Sequence, residues 1–179
     1  MKTALLVIDL QNDFTRDDGK VPACTSQIPD VIHTINAAIH QRNQDGELSA
    51  LVTTRWSNPL VKLLTKNSVK PGSFGAEIDA RLSQEINRRF IKGSKDIFSS
   101  QELTKWLKAH EVEEIIFSGL ALEHCISVSV KAALSKNYGV ALLAGGLASY
   151  QCENREKYLL KLQQLGARVH EEHKVEQVQ

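Results

Sequence analysis

Residues 3–14 read TALLVIDLQNDF, six almost wholly apolar positions closed by an aspartate and a polar turn. Apolar side chains at consecutive rather than alternate positions mark a strand covered on both faces, as in parallel sheets sandwiched between helices. Such a strand calls for a covering helix, and residues 28–44 supply one. Ile28, Val31, Ile32, Ile35, Ala38 and Ile39 recur there at helical spacing, and Pro29 suits a first turn.

The alternation continues along the chain. Residues 48–54 form a β-rich run, followed by a long irregular stretch over 56–74 containing Pro59, Pro71 and Gly72. A loop of that length tends to carry function. The spacing then predicts a short helix over 76–82, a short strand over 89–91 ending at Lys92, and an amphipathic helix over 101–110 capped by Ser99 or Ser100. A second buried strand spans 114–118, a helix 123–137 ending before Gly139, a strand 140–144, a helix 153–165 closed by Gly166, and a last strand 167–170. The residues after Glu171 read as a loose tail. Strand and helix alternate with no repeat or linker, so the expected architecture is one α/β domain over residues 1–179. It is a three-layer α/β/α sandwich around a six-stranded, mainly parallel sheet.

Bulk composition narrows the function. The 179 residues carry 22 Lys plus Arg against 21 Asp plus Glu, a net charge of +1. This balance offers no field to gather nucleic acid or an anionic membrane, and fits a small neutral or mildly charged ligand. The apolar run near the start is too short, and too soon charged at Asp9, for a signal peptide or membrane span, which makes the expected location cytoplasmic. Cys24, Cys125 and Cys152 show no CxxC spacing, so three free thiols are expected.

Ligands of open α/β sheets sit beyond the carboxyl ends of the strands, which directs attention to polar residues that close apolar strands. Asp9 closes the first strand, Lys92 closes RFIK (89–92), and Cys125 follows EEIIFSG (113–119) at the start of a helix. Singly, each has an ordinary explanation as a turn aspartate, a solvated lysine and an inert buried thiol. Jointly they form a complete chemical set: a nucleophile near a helix N-terminus, a carboxylate to accept its proton, and a cation to hold the charges in place. Six histidines form no ligand-spaced cluster. His124 is assigned to packing or to a pocket rim, and Phe14 and Trp56 are candidate walls of an apolar pocket above Cys125.

These motifs resemble the isochorismatase-like cysteine hydrolases, which include nicotinamidases, N-carbamoylsarcosine amidases and ureide-cleaving amidohydrolases. The resemblance runs from about Lys2 to Gly166. LLVIDLQNDF (5–14) is similar to the family's first-strand motif, with Asp9 as base, and FIKGSKDIFSSQEL (90–103) to the segment carrying its catalytic lysine, here Lys92 rather than Lys95. PGSFGAEI (71–78) resembles a middle signature, and SGLALEHCISVSVKAAL (118–134) has a glycine six positions before the cysteine. Leu122 and Glu123 stand where the family usually has Thr-Asp, and Gly145-Gly146 precede LAS where Asp-Ala is usual.

The resemblance implies a Rossmann-like fold and cleavage of a C–N bond in a small amide or ureide through a thioester, with Asp9, Lys92 and Cys125 as the triad. It also implies oxyanion donors at Ala121 and Cys125, a non-proline cis peptide between Leu120 and Ala121, and a homo-oligomer. Nicotinamidases hold a metal through Asp and two His in and after the loop following strand two. Here TTRWSNP (53–59) and Ser68 put Trp56, Asn58 and a hydroxyl in that region. The expected enzyme therefore needs no metal or other cofactor. The alternatives are a vinyl-ether hydrolase of the isochorismatase type, whose members commonly lack the cysteine, and a non-catalytic binding protein with the same fold.

Overall fold

The apolar runs do become strands in the computed structural model, which describes residues 1–86 and 88–171. In chain order the elements are β1 (Thr3–Ile8), α1 (Asn12–Thr15), α2 (Ile28–Gln44), β2 (Leu48–Thr54), α3 (Pro59–Leu64), β3 (Arg89–Lys92), α4 (Gln101–Ala109), β4 (Glu114–Gly119), α5 (Ser127–Ser135), β5 (Gly139–Leu147), α6 (Arg155–Gln164) and β6 (Arg168–His170). The strands form one sheet in the order β3-β2-β1-β4-β5-β6, with every neighbouring pair parallel.

Successive side chains of β1 point to opposite faces, so the all-apolar strand feeds two cores. Leu5 and Val7 pack with Ile28, Ile35 and Ile39 of α2. Ala4, Leu6 and Ile8 pack on the other side with Leu103 and Leu107 of α4, Val130 and Ala133 of α5, and Leu162 of α6. The three-layer arrangement follows directly from this division.

Four local readings need correction. Residues 76–82 form no helix. After a 3₁₀ turn at Phe74–Ala76, the segment gives its backbone groups to the chain leaving β1. Asn12 N–H donates to Glu77 O at 3.0 Å, Asp79 N–H donates to Leu10 O at 2.9 Å, and Ile78 bridges Gln11. The stretch over 56–74 is not wholly irregular, because Asn58 Oδ1 accepts from Leu60 N–H at 2.8 Å and Pro59 opens the short helix α3. The helix expected from Glu123 starts instead as a π-helical turn over Leu122–Ile126 before α5, a distortion often found at functional sites. The fourth correction concerns the cysteines. Cys24 and Cys152 are joined in a disulfide between residues 128 apart, and only Cys125 is free. The fold brings their loops together, as Cys24 N–H donating to Ser149 O at 2.9 Å also shows. The proposed loose tail after Glu171 lies outside the described residues. No described helix is long and apolar enough to cross a membrane.

Candidate active site

The strand order changes direction at β1, so the crevice of this sheet opens where the carboxyl ends of β1 and β4 diverge. Asp9 leaves β1 with φ at 60°, a left-handed conformation that aspartate tolerates, and its N–H donates to Val52 O at 2.9 Å. Gly119 ends β4 at φ 100°, and a Cβ there would lie 2.1 Å from Ile8 O. Only glycine permits this approach, and beyond it the chain turns into the segment carrying Cys125. Lys92 reaches the same point from the end of β3.

The three residues converge. Lys92 Nζ lies 2.9 Å from Asp9 Oδ2 and donates to Cys125 Sγ at 3.3 Å. All three are buried, Lys92 completely. Burial alone would depress the Lys92 pKa, but the Asp9 carboxylate and Cys125 outweigh it and raise the value, so the ammonium is retained. Burial pushes the Cys125 thiol up to about 12 with help from Asp9, while Lys92 only partly opposes the shift. Cys125 is therefore held in its thiol form.

Thr54 is the residue that sequence reasoning missed. It closes β2, its Oγ1 donates to Asp9 Oδ1 at 2.8 Å, and it accepts from Lys92 Nζ. Gln11 fixes this strand end by accepting from Thr54 N–H at 2.8 Å and donating to Thr54 O at 3.2 Å. A polar residue at the carboxyl end of a buried strand was the available signal, the same one that singled out Asp9 and Lys92.

Above this floor lies a cavity of about 240 Å³. Leu120, Ala121, Phe14 and Trp56 line it, joined by Val21 and Ala23 from a loop and by Val61 and Thr65 from α3 and its C-cap, segments whose approach the spacing does not encode. Lys95, His124 and Tyr150 complete the rim. His124 packs its ring against Tyr150, and burial followed by the nearby Lys95 charge lowers its pKa, keeping the imidazole neutral near pH 7. The Leu120–Ala121 bond is trans, correcting the expected cis peptide. Leu120 N–H donates to Ile8 O at 2.9 Å and Leu122 N–H to Ala148 O at 3.0 Å, seating the segment in the ordinary geometry that costs nothing.

The unusual residues around Cys125 have structural work. Leu122 is fully buried in the core. Glu123 accepts from Tyr150 N–H at 2.7 Å and Gln151 N–H at 3.1 Å, fastening a rim loop. Gly145 adopts φ 73°, and a Cβ at Gly146 would meet the Leu143 side chain at 2.5 Å.

The positions compared above with nicotinamidase metal ligands do not fit a metal. Trp56 Nε1 donates to Ser68 Oγ at 3.1 Å, and Asn58 caps α3. Indole offers no lone pair to a cation. Among the described residues, no three His, Cys, Asp or Glu side chains gather into a ligand set.

A parallel sheet wound in this order, with a buried Asp–Lys–Cys cluster at its switch point, defines a three-layer α/β/α architecture, and the isochorismatase domain model matches residues 3–173. The chain belongs to the isochorismatase family and is a hydrolase. Among curated proteins it is 29% identical to a nicotinamidase of Escherichia coli, over 80% of this chain and 81% of that one. It is 24% identical to a probable inactive nicotinamidase of Arabidopsis thaliana, over 93% of this chain and 90% of that one. Its fold matches the zinc-complexed pyrazinamidase of Pyrococcus horikoshii with a TM-score of 0.82 at 21% identity, covering 96% of this chain and 100% of that one. It also matches the N-carbamoylsarcosine amidase of Thermoplasma acidophilum with a TM-score of 0.79 at 20% identity, covering 98% and 99%.

Proposed function

We propose that this protein is a metal-independent cysteine hydrolase that cleaves a C–N bond in a small amide or ureide through a thioester. One observation carries the reading: Lys92 Nζ bridges Asp9 at 2.9 Å and Cys125 at 3.3 Å on the buried floor of a cavity. Asp9 takes the thiol proton as Sγ attacks the carbonyl carbon. The resulting oxyanion is met by backbone N–H groups at the start of the helical turn holding Cys125, with Ala121 beside it. Collapse expels the amine, which receives the proton from Asp9. Asp9 then deprotonates water, the water attacks the thioester, and the thiol regains its proton as the acid leaves. Lys92 holds Asp9 in an ion pair and compensates the charge appearing on sulfur.

Amidase and nicotinamidase relatives support C–N hydrolysis, while Trp56 and Ser68, bonded to each other, argue against anchoring a substrate through a metal. A homo-oligomer is part of the proposal, since Leu60, Leu63 and Leu64 of α3 are exposed.

Ammonia release from a panel of small amides and ureides, after exhaustive chelation, tests the reading. Turnover should persist, Cys125→Ala should reduce it by about 10⁴-fold or more while circular dichroism is retained, and iodoacetamide should label Cys125. Full activity in Cys125→Ala, or activity restored only by stoichiometric metal, would overturn the mechanism.

A further inference from the structure

The rim differs from the floor in its charge. On the floor the Asp9 carboxylate and Lys92 ammonium cancel, and Cys125 rests as a neutral thiol. On the rim Lys95 is exposed, lines the cavity, and has no ion pair among the described residues. The neighbouring acids, Asp96 next in sequence and Glu123 beside His124, keep their charge but direct their carboxylates at backbone N–H groups rather than at Lys95. Glu123 caps the N–H groups of Tyr150 and Gln151, and Asp96 accepts from Phe98 N–H at 2.9 Å. His124 also lines the cavity, and no hydrogen bond or ion pair engages its ring nitrogens among the described residues. Between rim and floor the walls are apolar, including Phe14, Trp56 and Leu120.

We infer that Lys95 selects a substrate bearing a carboxylate, with His124 as a neighbouring hydrogen-bond donor. The scissile amide or ureide carbonyl then lies at Cys125 and the anionic group at the rim. The inference rests on the cysteine-hydrolase reading above and adds a charge requirement to it. A short apolar channel with a cation at its outer end favours a ligand whose uncharged middle contacts the walls and whose charge stops where solvent begins. Electrostatic attraction at such a mouth raises the local concentration of anions, an effect that salt screens.

Two alkylating agents of nearly the same shape test the charge preference without knowledge of the natural substrate. Iodoacetate is anionic and iodoacetamide neutral. Each reacts once with Cys125, Asp9 taking the thiol proton as the S–C bond forms and iodide leaves. The measured quantity is the iodoacetate-to-iodoacetamide rate ratio at Cys125, read by mass spectrometry and divided by the same ratio for glutathione. It should exceed one by roughly tenfold and shrink in high salt. Lys95→Gln should lower it toward one and Lys95→Glu below one, whereas Lys108→Gln, on the exposed side of α4, should leave it raised. A wild-type ratio near one, or a raised ratio that survives Lys95→Gln, overturns the anion site alone. Failure of both reagents to label Cys125 overturns the nucleophile assignment, and the anion site with it.

Discussion

Floor and rim of the cavity are built by different means. The floor is made of strand ends, Asp9 after β1, Thr54 on β2 and Lys92 on β3, held by the sheet's hydrogen-bonded register, with Cys125 on the turn beyond β4, all of them buried. The rim is made of loops tied over long distances, with Val21 and Ala23 on one side, Tyr150 on another, and the Cys24–Cys152 disulfide and Glu123 joining them. A floor set by the sheet tolerates little change, because each buried charge depends on its partner. A rim set by ties can lose one and keep the chemistry.

Breaking the floor should have the largest effect. Lys92→Met leaves Asp9 buried without its cation, which should cost about 3–5 kcal/mol in urea denaturation and abolish turnover. A variant as stable as the wild type would show that the ion pair does not hold the floor. Opening the rim should cost less. Cys152→Ser releases a tie between residues 128 apart, and the expected loss is about 2–4 kcal/mol, with a higher KM but a detectable kcat. A fall in kcat with KM unchanged would mean that the disulfide supports the floor instead.

Thr54→Val sharpens the comparison, because it removes one hydroxyl from between two buried charges without changing shape. A loss of about 1–3 kcal/mol is expected. As a positioning effect it should also move the acidic limb of the pH–rate profile, which a purely structural role would leave in place. The smallest expected effect is alkaline. Cys125 has its pKa raised from 9.0 to about 12, and that of Lys92 is also raised from 10.5. Both groups hold their protons more tightly when folded, so their contribution is complete below about pH 9 and is lost as pH rises toward 12. Melting temperature should fall between about pH 9 and pH 12, and fall less in Cys125→Ala. An equal fall in both proteins would remove Cys125 from the linkage.

The floor was largely legible in the sequence. Unbroken apolar runs at 3–8 and 114–118 announce buried parallel strands, and a polar residue closing such a strand has few places to go except the carboxyl edge of the sheet. Thr54 obeyed the same rule but was passed over, since threonine is common in strands for its shape alone. What the sequence determined by itself was local: element order, strand ends, and the segments carrying Asp9, Lys92 and Cys125. Only the tertiary structure decided the rest. It turned 76–82 from a helix into a strap across Gln11 and left Leu120–Ala121 trans. It paired Cys24 with Cys152 and brought Lys95 to the rim of the cavity that holds Cys125. Periodicity reports the face a residue turns to its own neighbours in the chain. It carries no information about which distant loop arrives opposite, and the rim consists of such arrivals.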